Sequence, residues 1–183
     1  MSFLDQGLKL DRGFFGAAIA GLIAGAAYWL SSAPFWPSLV IFTNLYVLAL
    51  YDWHYFRLPN VFTAMFALLG LLYLLATPDI NMAHHIIGGF IGLVFFPLLN
   101  LAYRGLRGRD GIGMGDAKFL AGIGLWLGWQ SLPYVLLVAS LAGLLFAGIC
   151  WARNIKITNK TKLPFGTFLG FSAWLIWLFP YQG

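Results

Sequence analysis

Basic residues fall in every second gap between long apolar runs, and this register constrains the fold more than any other feature of the chain. A helix needs about 17–25 apolar residues to cross a bilayer. Runs that approach or meet this length lie near 14–30, 35–51, 61–76, 84–103, 116–130, 132–151 and 164–180. Lys9 and Arg12 precede the first run, and Arg57 separates the second from the third. Arg104, Arg107 and Arg109 separate the fourth from the fifth, with Lys118 just inside the fifth. Arg153, Lys156, Lys160 and Lys162 separate the sixth from the seventh. If successive runs are helices of alternating direction, all eleven cations lie on one side, which the positive-inside rule makes cytoplasmic. Deleting any internal run would scatter the charges over both sides. The register therefore predicts an all-α polytopic membrane bundle of about seven transmembrane helices with its N-terminus in the cytoplasm. The first run, with its basic prelude and Ser31-Ser32-Ala33, also has features of a cleaved signal. Cleavage would leave six helices in the same orientation, although Pro34 is a poor neighbour for it.

Composition closes off other classes. Hydrophobic residues make up 61% of the chain and charged residues 9%, against about a quarter charged in soluble domains. The short alternating strands of a membrane barrel are not seen. A net charge of +5 could suit nucleic acid, but its confinement to segment ends marks a topology signal; the expected surroundings are a lipid bilayer and no nucleic acid. Cys150, the single cysteine, allows no internal disulfide and no cysteine metal cage, and reads as a small packing residue.

Six acidic residues occur in all, so carboxylates beside lipid stand out, because each costs a few kcal/mol or more. Asp52 lies in Tyr51-Asp52-Trp53-His54-Tyr55-Phe56-Arg57-Leu58-Pro59-Asn60, and Asp116 closes Gly111-Ile112-Gly113-Met114-Gly115-Asp116. In the seven-helix register both fall at the cytoplasmic ends of their helices. Two carboxylates at one depth resist joint ionisation and can hold a proton between them. One can then take a proton from water while the other protonates a carbonyl oxygen, which is the logic of aspartic proteolysis. Without a Cβ, Gly113 and Gly115 allow another backbone to come near Asp116, and they are the candidate substrate-binding residues. A phosphate loop fits poorly, since no Gly-Lys-Ser/Thr follows. Transporters also use membrane carboxylates, but nearer the midplane and often with repeated halves. A non-catalytic assembly scaffold is the remaining alternative.

These motifs resemble those of the type IV prepilin peptidases, membrane aspartic proteases of the GxGD class. Asp52 with Leu58-Pro59-Asn60 is similar to the family's first aspartate and the turn that follows it. Gly111 to Lys118 looks like its second aspartate motif, and Leu163-Pro164-Phe165-Gly166-Thr167-Phe168 is similar to a late Pro-Phe-Gly-Pro-Phe stretch. The resemblance implies a bacterial inner-membrane endopeptidase that removes the short basic leaders of prepilins or pseudopilins at the cytoplasmic face. It implies Asp52 and Asp116 as the catalytic pair, and no metal or other cofactor. The chain, 1–183, reads as one membrane unit: an extra helix region over 1–44 and a motif-bearing core over 45–180. The Cys-x-x-Cys domain of longer family members is not seen, so the expectation is a short, peptidase-only form. Thr167 replaces a frequent proline.

Three histidines remain. His54 could tune Asp52 or sit among headgroups. His84 and His85 diverge by about 100° on a helix and fall on the side away from the aspartates, which argues against chelation. Lys118 either positions Asp116 by charge or snorkels. The pairs Gly21/Gly25, Gly88/Gly92, Gly124/Gly128 and Gly166/Gly170 predict close helix packing.

Overall fold

A computed structural model describes residues 21–22, 25–107, 113–153 and 164–180. No strand occurs among the described residues. Residues 25–29 are helical (α1), and the rest of the first predicted span lies largely outside the described residues. Six longer helices follow: α2 (Phe35–Tyr55), α3 (Asn60–Ala76), α4 (Met82–Arg107), α5 (Met114–Leu127), α6 (Leu132–Ala152) and α7 (Phe165–Leu178), with a 3-10 turn at Trp129–Ser131. Within these, Phe35–Tyr55, Met82–Gly105 and Trp129–Ala152 are long and apolar enough to cross a membrane. The protein is an all-α membrane helical bundle.

The breaks have local causes. Proline precedes α2, α3 and α7, as Pro34, Pro59 and Pro164, where a missing N–H costs no helical hydrogen bond. The second predicted span stops at 51, whereas α2 continues to Tyr55 and carries Asp52 in its last turn. It ends because Phe56 turns left-handed (φ 51°) and donates its N–H to the Asp52 carbonyl at 2.8 Å. Phe56 is the one non-glycine residue with positive φ among the described residues, a conformation costing about 1–3 kcal/mol. The fifth predicted span, 116–130, is shorter in fact, because Gly128 at φ 78° closes α5 after Leu127.

Helix α5 is the centre of the bundle. Ala117, Phe119, Leu120 and Ile123 on it are fully buried, and it packs mainly on α4 and α3. Its 14 residues rise about 21 Å, less than the roughly 30 Å of bilayer hydrocarbon. The ring of neighbours makes that length sufficient, since α5 need not meet lipid along its whole length. Against α4 the contact is backbone on backbone: a Cβ on Gly88 would lie 2.5 Å from the Gly124 carbonyl oxygen, and one on Gly92 2.5 Å from that of Leu120. Against α3, Trp126 stacks on Phe66 and Tyr73 and donates Nε1–H to the Phe66 carbonyl at 2.9 Å. A second pairing, α2 with α7, buries Leu45, Leu48, Leu169 and Ala173, and Trp177 Nε1 donates to Ser38 Oγ at 2.9 Å.

The glycine pairs thus divide by role. Gly88, Gly92 and Gly124 are packing glycines, whereas Gly128 makes a turn and, among the described residues, nothing lies within 4 Å of a Cβ placed on Gly25. Gly166 belongs to the site described next.

Candidate active site

Four helix ends meet at one end of the bundle: the C-terminus of α2 and the N-termini of α3, α5 and α7. Asp52 comes from the first, Leu58-Pro59-Asn60 leads into the second, Asp116 lies in the first turn of the third, and Thr167 in the first turn of the fourth. The structure therefore brings together the three motifs singled out in the sequence.

Asp52 is 5% exposed, so its carboxylate needs partners. They come from α7. The Thr167 N–H donates to Asp52 Oδ2 at 2.9 Å, and the Thr167 hydroxyl stands 3.4 Å from the same oxygen while donating to the Ala49 carbonyl at 3.0 Å. The Gly166 amide interacts with the same carboxylate. The first N–H groups of a helix have no intrahelical partner and lie at the positive end of its dipole. Here they are satisfied by a side chain from a helix more than a hundred residues away. Gly166 makes the approach possible, because a Cβ there would lie 3.0 Å from Asp52 Oδ2 and 3.0 Å from Leu58 Cδ1.

Asp116 is half-buried, and its N–H donates to the Gly113 carbonyl at 3.2 Å, opening α5. The two carboxylates are within electrostatic reach of each other. Leu58 lies between the starts of α7 and α5. It touches Gly166 on one side, and on the other its Cβ would be 3.3 Å from a Cβ on Gly115. Gly113 is different: the nearest atoms to a Cβ there are Asp116 Oδ2 at 3.9 Å and the Gly115 nitrogen at 4.0 Å. Among the described residues, the space beside Asp116 is open at Gly113 and taken by Leu58 at Gly115. Asp110, Gly111 and Ile112 lie outside the described residues.

Lys118 donates to Asn60 Oδ1 at 2.9 Å, pinning the start of α5 to that of α3. His54 is exposed, and its Nδ1 is 2.9 Å from the Leu50 carbonyl of its own helix. His85 Nδ1 is 2.9 Å from the Leu125 carbonyl at the far end of α5, and the His84 ring lies 6.3 Å from that of Trp129; both histidines are thus remote from the aspartates. Among the described residues no cluster of three or more His, Cys, Asp or Glu side chains could hold a metal ion. The residue that sequence reasoning underrated is Thr167, noted there as a departure from a proline pattern. Its position three residues after a helix-starting proline is the signal that could have marked it as a first-turn donor.

The chain is similar to known proteins of one family. The profile of the type IV leader peptidase family matches residues 39–148. The chain is 33% identical over 147 residues to the prepilin leader peptidase/N-methyltransferase of Pectobacterium carotovorum subsp. carotovorum, covering 80% of this chain and 52% of that protein. It is 34% identical over 158 residues to the protein of that name from Dickeya chrysanthemi, covering 83% and 56%. The chain thus spans about half the length of these two relatives. It is 37% identical over 144 residues to leader peptidase HopD of Escherichia coli, covering 76% of this chain and 91% of HopD. No solved structure matches. With its profile match spanning well over half of the sequence and its motif residues gathered at one end of the bundle, the chain belongs to the type IV leader peptidase family.

Proposed function

We propose that this protein is an aspartic endopeptidase of the bacterial inner membrane that removes the leader peptides of type IV prepilins or pseudopilins at the cytoplasmic face. The observation that carries the proposal is the meeting of Asp52 and Asp116, 64 positions apart in sequence, at the shared end of α2, α3, α5 and α7. Family membership supports the leader as substrate. The orientation is supported by Arg57, Arg104, Lys118 and Arg153, which occupy the same ends of their helices as the aspartates.

The chemistry needs these two side chains and a water. One aspartate, ionised, takes a proton from the water as its oxygen attacks the scissile carbonyl carbon. The other, protonated, gives its proton to the carbonyl oxygen, and a neutral gem-diol forms. On collapse, one gem-diol hydroxyl returns its proton to the second aspartate, the C–N bond breaks, and the leaving nitrogen takes the proton held by the first. Both side chains end as they began. Gly113 leaves room for the substrate backbone beside Asp116, and Gly115 lets the Leu58 turn close against α5. The whole of 1–183 acts as one membrane unit in this reading.

The test is co-expression with candidate prepilins in a host without its own leader peptidase, with mass spectrometry of the mature N-terminus. Wild type yields the trimmed N-terminus, and Asp52→Ala and Asp116→Ala each leave the leader attached. Trimming by both variants at the wild-type level would overturn the dyad.

A further inference from the structure

The aspartates share a site but not an environment. The Asp52 carboxylate takes its donors from the first turn of α7: the Thr167 N–H stands 2.9 Å from Oδ2, the Thr167 hydroxyl, more weakly, 3.4 Å from the same oxygen, and the Gly166 amide also interacts with the carboxylate. The hydroxyl has a single proton, and its shorter bond is to the Ala49 carbonyl at 3.0 Å. That bond fixes the Thr167 side chain across the last turns of α2, so one residue fastens α7 to both the backbone and the carboxylate of the Asp52 turn. An oxygen that accepts from a backbone N–H cannot carry a proton along that direction. Donors aimed at the carboxylate favour its ionised form, which is the form a general base needs. For Asp116 no hydrogen bond to the carboxylate is made among the described residues, and it stands where the positive end of its own helix is the nearest help.

We propose that Thr167 is a positioning residue that reserves Asp52 for the general-base half of the reaction, leaving Asp116 as the general acid. The assignment rests on the endopeptidase reading above and adds to it which side chain does what. Asp52 takes the proton from the attacking water and later delivers it to the leaving nitrogen. Asp116 lends its proton to the carbonyl oxygen and recovers it on collapse. Thr167 touches neither water nor substrate. It acts through Asp52, by holding the carboxylate in one rotamer with one oxygen engaged.

The experiment measures steady-state leader cleavage by purified full-length protein in liposomes, with a synthetic prepilin N-terminal segment as the probe. Wild type, Thr167→Ser, Thr167→Val and Thr167→Pro are compared after protease-resistance assays confirm equal folded amounts. Thr167→Val keeps the N–H and the volume but loses the hydroxyl; kcat is expected to fall about tenfold with KM within about twofold. Thr167→Ser restores the hydroxyl and is expected to return kcat to within about threefold of wild type. Thr167→Pro introduces the residue frequent in the family and removes both Thr167 donors while leaving the Gly166 amide; in this chain kcat is expected to fall at least as far as in Thr167→Val. In the pH profile of kcat/KM, whose limbs report the essential base and acid of the free enzyme, Thr167→Val changes the acidic limb and leaves the alkaline one in place. Wild-type kcat in both Thr167→Val and Thr167→Pro, or movement of the alkaline limb alone, overturns the assignment. Absence of cleavage by the wild-type protein would instead refute the endopeptidase reading, so the two failures are distinguishable.

Discussion

Gly166→Ala isolates the close approach of α7 to Asp52 in one methyl group. A Cβ at this position would sit 3.0 Å from Asp52 Oδ2, 3.1 Å from Asp52 Cγ and 3.0 Å from Leu58 Cδ1. Ordinary contacts between such atoms begin near about 3.5 Å, so the carboxylate and the leucine must each withdraw by roughly half an ångström. Leu58 can give way by turning its Cδ1, but the contacts with Asp52 Oδ2 and Cγ remain. The adjustment therefore falls on Asp52, and the bond from the Thr167 N–H, now 2.9 Å, lengthens. Hydrogen bonds to charged groups contribute about 1.5–3 kcal/mol, and displacing a reacting group by about 1 Å costs about a hundredfold in rate. A loss of at least tenfold in leader cleavage is expected. Stability should move little, because alanine is favoured over glycine in helices by about 1 kcal/mol, which offsets much of the strain. The assay pairs cleavage rate at matched protein level with thermal unfolding in detergent. The reasoning fails if Gly166→Ala cleaves within twofold of wild type, and equally if activity is lost only in step with the folded fraction.

Two further perturbations separate packing from chemistry. Gly124→Ala brings a methyl group against the Gly88 backbone and forces α4 from α5; overpacking of this kind costs about 1–3 kcal/mol, so the apparent melting temperature should drop by several degrees, and an unchanged melt would contradict the described crossing. Lys118→Met removes the bond to Asn60 at 2.9 Å from an exposed position, where such links contribute about 0–1 kcal/mol; the melt should stay put and cleavage fall no more than about threefold, whereas a larger loss would mean that Lys118 contacts the leader.

The bundle was legible because its signals are long-range and additive. Alternating cations gave the helix order, and prolines at 34, 59 and 164 gave three of the starts. The helix ends were less legible. Nothing in Tyr55-Phe56-Arg57 announces a left-handed residue, so the extension of α2 that carries Asp52 into a helical turn could not be read. The length of α5 depends on Gly128 adopting a positive φ, which glycine permits without requiring. Glycine spacing was legible as a capacity for close approach but not as its target. Gly88 and Gly124 meet each other, while Gly166, at the same spacing from Gly170, meets a carboxylate.

The site is assembled from helix ends, and this has a physical reason. Within a span every backbone N–H is used by the helix, so a buried carboxylate finds no backbone donor there. At the start of a helix the first N–H groups are free, and α7 presents Gly166 and Thr167 to Asp52 at that point. The same end position puts Asp116 within reach of the open space at Gly113. A carboxylate moved one turn deeper along α2, to Leu48, would face the fully buried interior with the first-turn donors of α7 out of reach. The combined variant Asp52→Leu, Leu48→Asp is therefore expected to leave prepilin uncut even though it restores a carboxylate to the same helix face. Cleavage by that variant would show that depth in the bundle, and with it the α7 first turn, does not matter to the reaction.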